Sequence, residues 1–165
     1  MKFLVSMLVG IALTLILQTS VVNAQGFGKA EVIKAAKLLE AEPLHKDAKI
    51  IRGAAVKYVI ETDEVSVVVC SGELMTALLD KKNKNSSELI AQYTIAMAAF
   101  KLENPDKNDD ENAAQLAGTE SALRAYQAFI KEKPKTKHAG MDGLLAKVQD
   151  GSLKAMVEAA DCGKK

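Results

Sequence analysis

Residues 85–105 read NSSELIAQYTIAMAAFKLENP, a stretch with the pattern of a strong amphipathic helix. Its apolar residues recur three and four positions apart, which is the period of one face of an α-helix. The predicted buried face consists of Leu89, Tyr93, Ala96, Met97 and Phe100. Asn85 and Glu88 have the spacing of a capping box at the start of this helix, and Pro105 stops it. Such a helix must bury its apolar face against other parts of the chain.

The longest predicted helix comes next. Asn108 and Glu111 repeat the capping spacing. The residues predicted to face inward lie at helical intervals: Leu116, Leu123, Tyr126 and Ile130. Glu120 and Arg124 form an i, i+4 pair on the outer face. Pro134 ends the helix, because proline disrupts a helix interior.

Four shorter stretches complete the helical pattern on either side. Towards the C-terminus, helices are predicted around residues 141–149 and 152–160, with a turn signal at Asp150-Gly151 between them. Towards the N-terminus, Pro43 separates two helices, the second of which runs to about Glu61. Their apolar faces contain Val32, Ala36 and Leu39 in the first and Ala48, Ile51, Ala55 and Tyr58 in the second.

The stretch at residues 65–70 (VSVVVC) is ambiguous, because β-branched residues dominate it and a short apolar run does not distinguish strand from helix. We interpret it as helix. Asp63 is placed to cap it, and Leu74 and Leu78 continue an apolar stripe that a lone strand would not need. The sequence therefore predicts an all-α fold of about seven helices, either a bundle or a short stack of helix-turn-helix repeats.

The first 24 residues have the three parts of a cleavable signal peptide. Lys2 supplies the positive start, an apolar run covers residues 3–17, and small residues precede a predicted cleavage site between Ala24 and Gln25. The apolar run is shorter than the roughly 20 residues that a membrane-spanning helix needs. We expect an exported protein, periplasmic or secreted, with no membrane anchor after cleavage and a single helical domain at residues 25–165.

The charges of the chain are balanced, with 22 Lys and Arg residues against 21 Asp and Glu residues. Because Lys2 lies in the predicted leader, the mature chain has equal numbers of both signs. Binding to nucleic acid or to an anionic membrane requires clustered positive charge. The balance therefore argues against both classes of partner.

Cys70 and Cys162 are the only two cysteines. An even number of cysteines in an exported chain predicts a disulfide. Closing so long a loop would stabilise the fold by roughly 4 kcal/mol. Two buried free thiols are the alternative. The pair lacks the C-x-x-C spacing of redox-active cysteines, so a redox role is not expected.

The tyrosines hint at an internal repeat. Tyr58, Tyr93 and Tyr126 are 35 and 33 residues apart, close to the period of helix-turn-helix repeats. The alternative is three unrelated buried tyrosines in a helical bundle, and both interpretations stay open.

Ala122, Tyr126 and Pro134 match the order of alanine, aromatic residue and proline found in the second helix of tetratricopeptide repeats. On these residues, the part of the chain at 86–150 resembles the tetratricopeptide class. The resemblance implies stacked helical pairs that present a groove to a protein or peptide. The chain departs from that family at Phe129, where a small residue is usual, and lacks its first-helix markers. It is also similar to small exported bacterial helical proteins, a likeness that implies no function.

The residues that could carry chemistry do not form a recognisable motif. Ser71 lacks the flanking glycines of a nucleophile elbow. His45 and His138 lie in polar links, and we interpret them as exposed loop residues without a catalytic role. His138 and Met141 could offer nitrogen and sulfur to a soft metal, but two ligands are too few for a site. No catalytic residue, metal site or cofactor is therefore predicted.

Arg52 is the one candidate for ligand binding. It has no acidic residue three or four positions away, so its guanidinium needs a distant partner, a backbone carbonyl or a ligand carboxylate. Overall function is expected to be that of a non-enzymatic helical interaction or scaffold module. The alternatives are a small-molecule binder or hydrolase with a pocket between helices, with Arg52 as an anion anchor, and a purely structural envelope protein.

Overall fold

The computed structural model describes residues 26–160 and 162, and the predicted signal peptide lies outside them. Within those residues the chain forms seven α-helices and no strand. The helices are Lys29–Ala41 (α1), Ala48–Glu61 (α2), Glu73–Leu79 (α3), Ser86–Glu103 (α4), Glu111–Glu132 (α5), Ala139–Gln149 (α6) and Leu153–Ala159 (α7). Single 3-10 turns at Pro105–Lys107 and Pro134–Thr136 lead into α5 and α6. The predicted all-α class is confirmed, while its organisation into repeats stays a prediction.

Helix α4 lies at the centre of the molecule and contacts α1, α2, α3 and α5. One side of it, with Leu89, Tyr93 and Met97, belongs to an apolar cluster shared with α3, α5, α6 and α7. The opposite side, with Ile95, packs against α1 and α2 in a second cluster. The predicted face is buried except at Phe100, which is half-buried, and most residues behind that face are buried too. A helix with apolar residues all round is one that is buried on all sides.

Helices α4 and α5 approach each other closely at Gly118. A Cβ atom at this position would lie 2.6 Å from Cγ of Met97 and 2.8 Å from the carbonyl oxygen of Tyr93. Both distances are too short for a side chain. The glycine therefore sets how near the two helices lie.

A polar network joins α1, α4 and α5. Gln92 donates through Nε2 to Oγ of Ser121 at 2.8 Å, and Ser121 donates to the carboxylate of Glu40 at 2.6 Å. Arg124 donates to both oxygens of the same carboxylate, at 2.7 and 3.1 Å. Its predicted partner Glu120 lies 3.5 Å away. The planar guanidinium of Arg124 thus connects α5 to α1 through Glu40 and also contacts Glu120, one turn earlier on α5.

The segment at residues 62–72, which connects α2 to α3, is neither helix nor strand, so the helix predicted for its VSVVVC stretch is wrong. Long side chains from α4 and α5 satisfy carbonyl groups of this segment. Lys101 donates through Nζ to the carbonyl of Ser66 at 2.8 Å, and Gln115 donates through Nε2 to the carbonyl of Val68. These partners lie far away in the sequence, so tertiary contacts override local propensity here.

The starts of the helices differ from the predicted caps. Gly72, not Asp63, is the N-cap of α3, and its φ of +154° is one that favours glycine. Asn85 is the N-cap of α4 but makes no side-chain capping bond. Helix α5 is capped by Asp110 instead of Asn108, through a hydrogen bond from the N–H three residues on. At α5 the cap position shifts because residues 108–110 are all polar residues that can cap a helix.

Candidate functional site

A cavity of about 460 Å³ opens between α3, α5 and α7, with α4 at its base. Its walls are mostly apolar and come mainly from α3 and from α7 with the residue after it: Leu74, Met75, Ala155, Met156, Val157, Ala159 and Ala160. Three polar side chains reach it from α4 and α5: Tyr93, Gln115 and Thr119. The volume lies within the range of pockets that hold small molecules.

Cys70 and Cys162 form part of the cavity wall. Their Cα atoms are 5.8 Å apart, which is the spacing of a disulfide and agrees with the predicted pair. A bond between them would connect the segment before α3 to the end of α7. It would therefore fix two of the walls relative to each other.

The polar groups at the base of the cavity already have partners. The hydroxyl of Tyr93 donates to Oε1 of Gln115, and the hydroxyl of Thr119 donates to the carbonyl of Gln115 at 2.7 Å. Burial raises the pKa of Tyr93 to about 12, although hydrogen bonds with the backbone of Cys70 and with Gln115 act in the opposite direction. The phenol is therefore neutral at physiological pH, and the base offers shape and apolar surface.

A second cavity, of about 680 Å³, lies between α3 and α6. Most of its surface is apolar, but its lining also includes Asp80, Lys82, Lys137 and His138. Glu73 and Lys147 line this cavity as well as the first one. Their side chains are 3.5 Å apart and form an ion pair on the boundary between the two.

His138 is not the exposed loop residue that the sequence indicates, because only 7% of it is exposed. It is the N-cap of α6, and its Nδ1 accepts a hydrogen bond from the backbone N–H of Met141 at 3.4 Å. Its Nε2 therefore carries the proton and donates to Oδ2 of Asp80 at 3.0 Å. The spacing of three that suggested a metal pair is the spacing of an N-cap and its N–H donor.

The two hydrogen-bond partners of His138, Asp80 and Met141, are held in place by further contacts. The backbone N–H of Lys82 donates to Asp80 at 2.9 Å, and this bond, followed by that from His138, holds the pKa of Asp80 below its usual value. Met141 is fully buried in the core. Within the described part of the chain, no group of three or more His, Cys, Asp or Glu side chains is placed to hold a metal ion.

Arg52 lies on α2 and lines neither cavity. Its Nη2 donates to the carbonyl of Pro43 at 3.2 Å, which is one of the partners that the sequence allowed. Burial lowers the pKa of Arg52, and the nearby charge of Glu88 opposes this shift. A role of Arg52 in ligand binding stays a prediction.

His45, the other histidine that was predicted to lie in a loop, lines neither of the two cavities. His45 is half-buried, and its Nδ1 accepts a hydrogen bond from the backbone N–H of Asp47 at 3.2 Å. Ser71 lies on the wall of the first cavity, next to Cys70. The residues that line the cavities, apart from Cys70 and Cys162, were not singled out as site residues by their sequence pattern.

No family model, curated protein or solved structure matches this chain. None of the helices in the described residues is both long enough and apolar enough to cross a membrane.

Proposed function

We propose that this protein is an exported, non-enzymatic binding protein that holds the apolar part of a ligand in the cavity beside Cys70 and Cys162. The observation that supports this proposal is the cavity itself, with its volume of about 460 Å³ and its apolar walls. Most ligand pockets are apolar and have a few polar groups that fix orientation. The apolar walls match that description, while the three polar side chains at the base already have partners within the protein.

The walls are suited to ligands of variable shape. Met75 and Met156 are half-buried and line the cavity. Methionine side chains are flexible and polarizable, so they adapt to different apolar surfaces. Alanines at 155, 159 and 160 leave the opening wide.

The proposed location is the periplasm or the outside of the cell. The signal-peptide pattern of the first 24 residues supports export. Cysteines at disulfide distance fit an oxidising compartment. In such a compartment the bond would keep the cavity preformed and so lower the entropic cost of binding.

The proposal is tested with a neutral fluorescent probe, N-phenyl-1-naphthylamine, and purified mature protein. Ala155 is exposed and lines the cavity, so Ala155→Trp fills the cavity without disturbing the core. We expect saturable fluorescence enhancement in the wild type and its loss in Ala155→Trp.

The matched control is Ala146→Trp, at an exposed alanine on α6 that lines neither cavity. This variant should bind the probe as the wild type does. Equal binding by all three proteins would place the probe elsewhere and contradict the proposal.

A protein partner is the second candidate, because two large apolar side chains on α2 are exposed. Ile50 is 74% and Ile60 77% exposed, and both lie on the outer surface of the helix. A photo-crosslinking residue at position 50 should then form a discrete adduct in an envelope extract. Ile60→Asp should remove that adduct, and its persistence would argue against a specific partner.

A further inference from the structure

The two cavities adjoin each other on the surface of the molecule. They share Glu73 at the start of α3 and Lys147 near the end of α6. The surface of both cavities is mostly apolar; the first is made mainly by α3 and α7, and the second, between α3 and α6, has more charged side chains in its lining. A single elongated ligand could therefore occupy both.

The two cavities are separated by an ion pair that contributes little to stability. The ion pair of Glu73 and Lys147 is 3.5 Å long, and the side chains are 61% and 33% exposed. Exposed ion pairs contribute little to stability, because water competes for both charges. The pair can separate at little cost and leave Lys147 free to contact a ligand.

The charged side chains of the second cavity differ in whether they already have a partner within the protein. Asp80 is 43% exposed, but its carboxylate already accepts hydrogen bonds from His138 and from the backbone of Lys82. Lys82 and Lys137, by contrast, are exposed and form no ion pair with the described residues. Three lysines line this cavity, Lys82, Lys137 and Lys147, against two carboxylates, Glu73 and Asp80, so the excess charge is positive.

We infer that the ligand is an anionic amphiphile, whose alkyl chain fills the first cavity and whose headgroup lies in the second one near Lys82, Lys137 and Lys147. This inference rests on the proposed function, because it extends the same site. A carboxylate and a phosphate both fit, since lysine binds either as a point charge. The class of ligand is a fatty acid or an alkyl phosphate.

The test is displacement of N-phenyl-1-naphthylamine by three ten-carbon probes: decanoate, decyl phosphate and 1-decanol. All three are used below their aggregation concentrations. We expect at least one of the anions to displace the dye at about three- to tenfold lower concentration than the alcohol, because two exposed charge pairs add a modest free energy. A gain for only one anion identifies the headgroup.

Lysine variants place the headgroup. Lys82→Ala/Lys137→Ala should weaken the preference for the anion, because only Lys147 then remains near the headgroup. Lys81→Ala/Lys135→Ala is the matched control, because both residues are exposed, lie outside the second cavity and remove the same charge. This control should keep the preference.

Equal displacement by the anions and the alcohol would overturn the inference, and so would an unchanged preference in Lys82→Ala/Lys137→Ala. In either case 1-decanol would still displace the dye, and the proposed function would stand. Failure of the proposed function has a different signature, since none of the three probes would then displace the dye.

Discussion

Lys101 carries its charge into the interior of the molecule, where its side chain is 3% exposed. Its ammonium group pairs with Glu111 on α5 and donates to the carbonyl of Ser66. A buried charge that loses its partner is costly, because the remaining charge is left without water. This one side chain therefore connects two helices and the segment at residues 62–72.

Replacing Lys101 with alanine should lower the free energy of unfolding by about 3 kcal/mol, because the Glu111 carboxylate would lose its cation. Urea denaturation measures this change. Lys107→Ala, at an exposed lysine, is the control and should change stability by less than about 0.5 kcal/mol. Equal effects of the two variants would show that the buried pair adds nothing specific.

Two buried tyrosines should make stability depend on pH in the alkaline range. Burial raises the pKa of both Tyr93 and Tyr126 to about 12, and the hydrogen bond to Asp142 adds to the shift of Tyr126. A folded-state pKa above the unfolded value gives stability that is present below about pH 10 and is lost as the pH rises towards 12.

The free energy of unfolding should therefore fall between about pH 10 and pH 12. Chemical denaturation across this range measures the fall. In Tyr93→Phe and in Tyr126→Phe the pH dependence should be shallower than in the wild type. A wild-type curve that stays flat across the range would mean that neither phenol is protected by folding.

His138 shows which contacts of a residue can be predicted from a single sequence and which cannot. The distance of three residues between His138 and Met141 is visible in the sequence, but it fits a metal pair as well as a helix cap. The partner Asp80 lies 58 residues earlier and is brought to Nε2 only by the packing of α3 on α6. Burial of the ring follows from that packing and not from any local pattern.

The contact between α4 and α5 depends on the missing side chain of Gly118. Gly118→Ala should lower the free energy of unfolding by about 1–3 kcal/mol, because the new Cβ would overlap Met97 and the backbone of Tyr93. Gly53→Ala on α2 is the matched control, since nothing lies within 4 Å of its added Cβ. That variant should gain about 0.5–1 kcal/mol. Thermal or urea unfolding compares the two, and an unchanged stability in Gly118→Ala would contradict the described packing.

Helical periodicity predicted the long helices well and the connecting segment badly, for one physical reason. In α4 and α5 each apolar residue lies one or two turns from the next, so the pattern is local. In residues 62–72 the carbonyls of Ser66 and Val68 accept hydrogen bonds from Lys101 and Gln115, which lie 35 and 47 residues further on. No window of sequence contains both halves of such a contact.

The link between Cys70 and Cys162 spans most of the domain, with a separation of 92 residues. Cys70→Ser/Cys162→Ser should lose roughly 3–4 kcal/mol of stability, because the unfolded chain gains conformational entropy. Urea denaturation with and without reductant measures this loss. Reductant should destabilise the wild type and leave the variant unchanged. A wild type that is indifferent to reductant would mean that the two sulfurs are not bonded.

The cavity could be predicted only as a general alternative, a pocket between helices. Its walls come from residues on five helices and from both cysteines, which are separated by most of the sequence. The disulfide was foreseeable from the number of cysteines, but the cavity beside it depends on where α7 lies against α3 and α5. That arrangement is a property of the folded chain.

Methionine methyl groups give the most direct measurement of the central claim, that the cavity beside the disulfide binds an apolar ligand. Met75 and Met156 line this cavity, whereas Met97 and Met141 are fully buried in the core and serve as internal controls. In a titration of the ¹³C-methyl-methionine protein with 1-decanol, we expect saturable NMR shifts of Met75 and Met156 and little change in the other two. Unchanged resonances of Met75 and Met156 at saturating alcohol would contradict the claim.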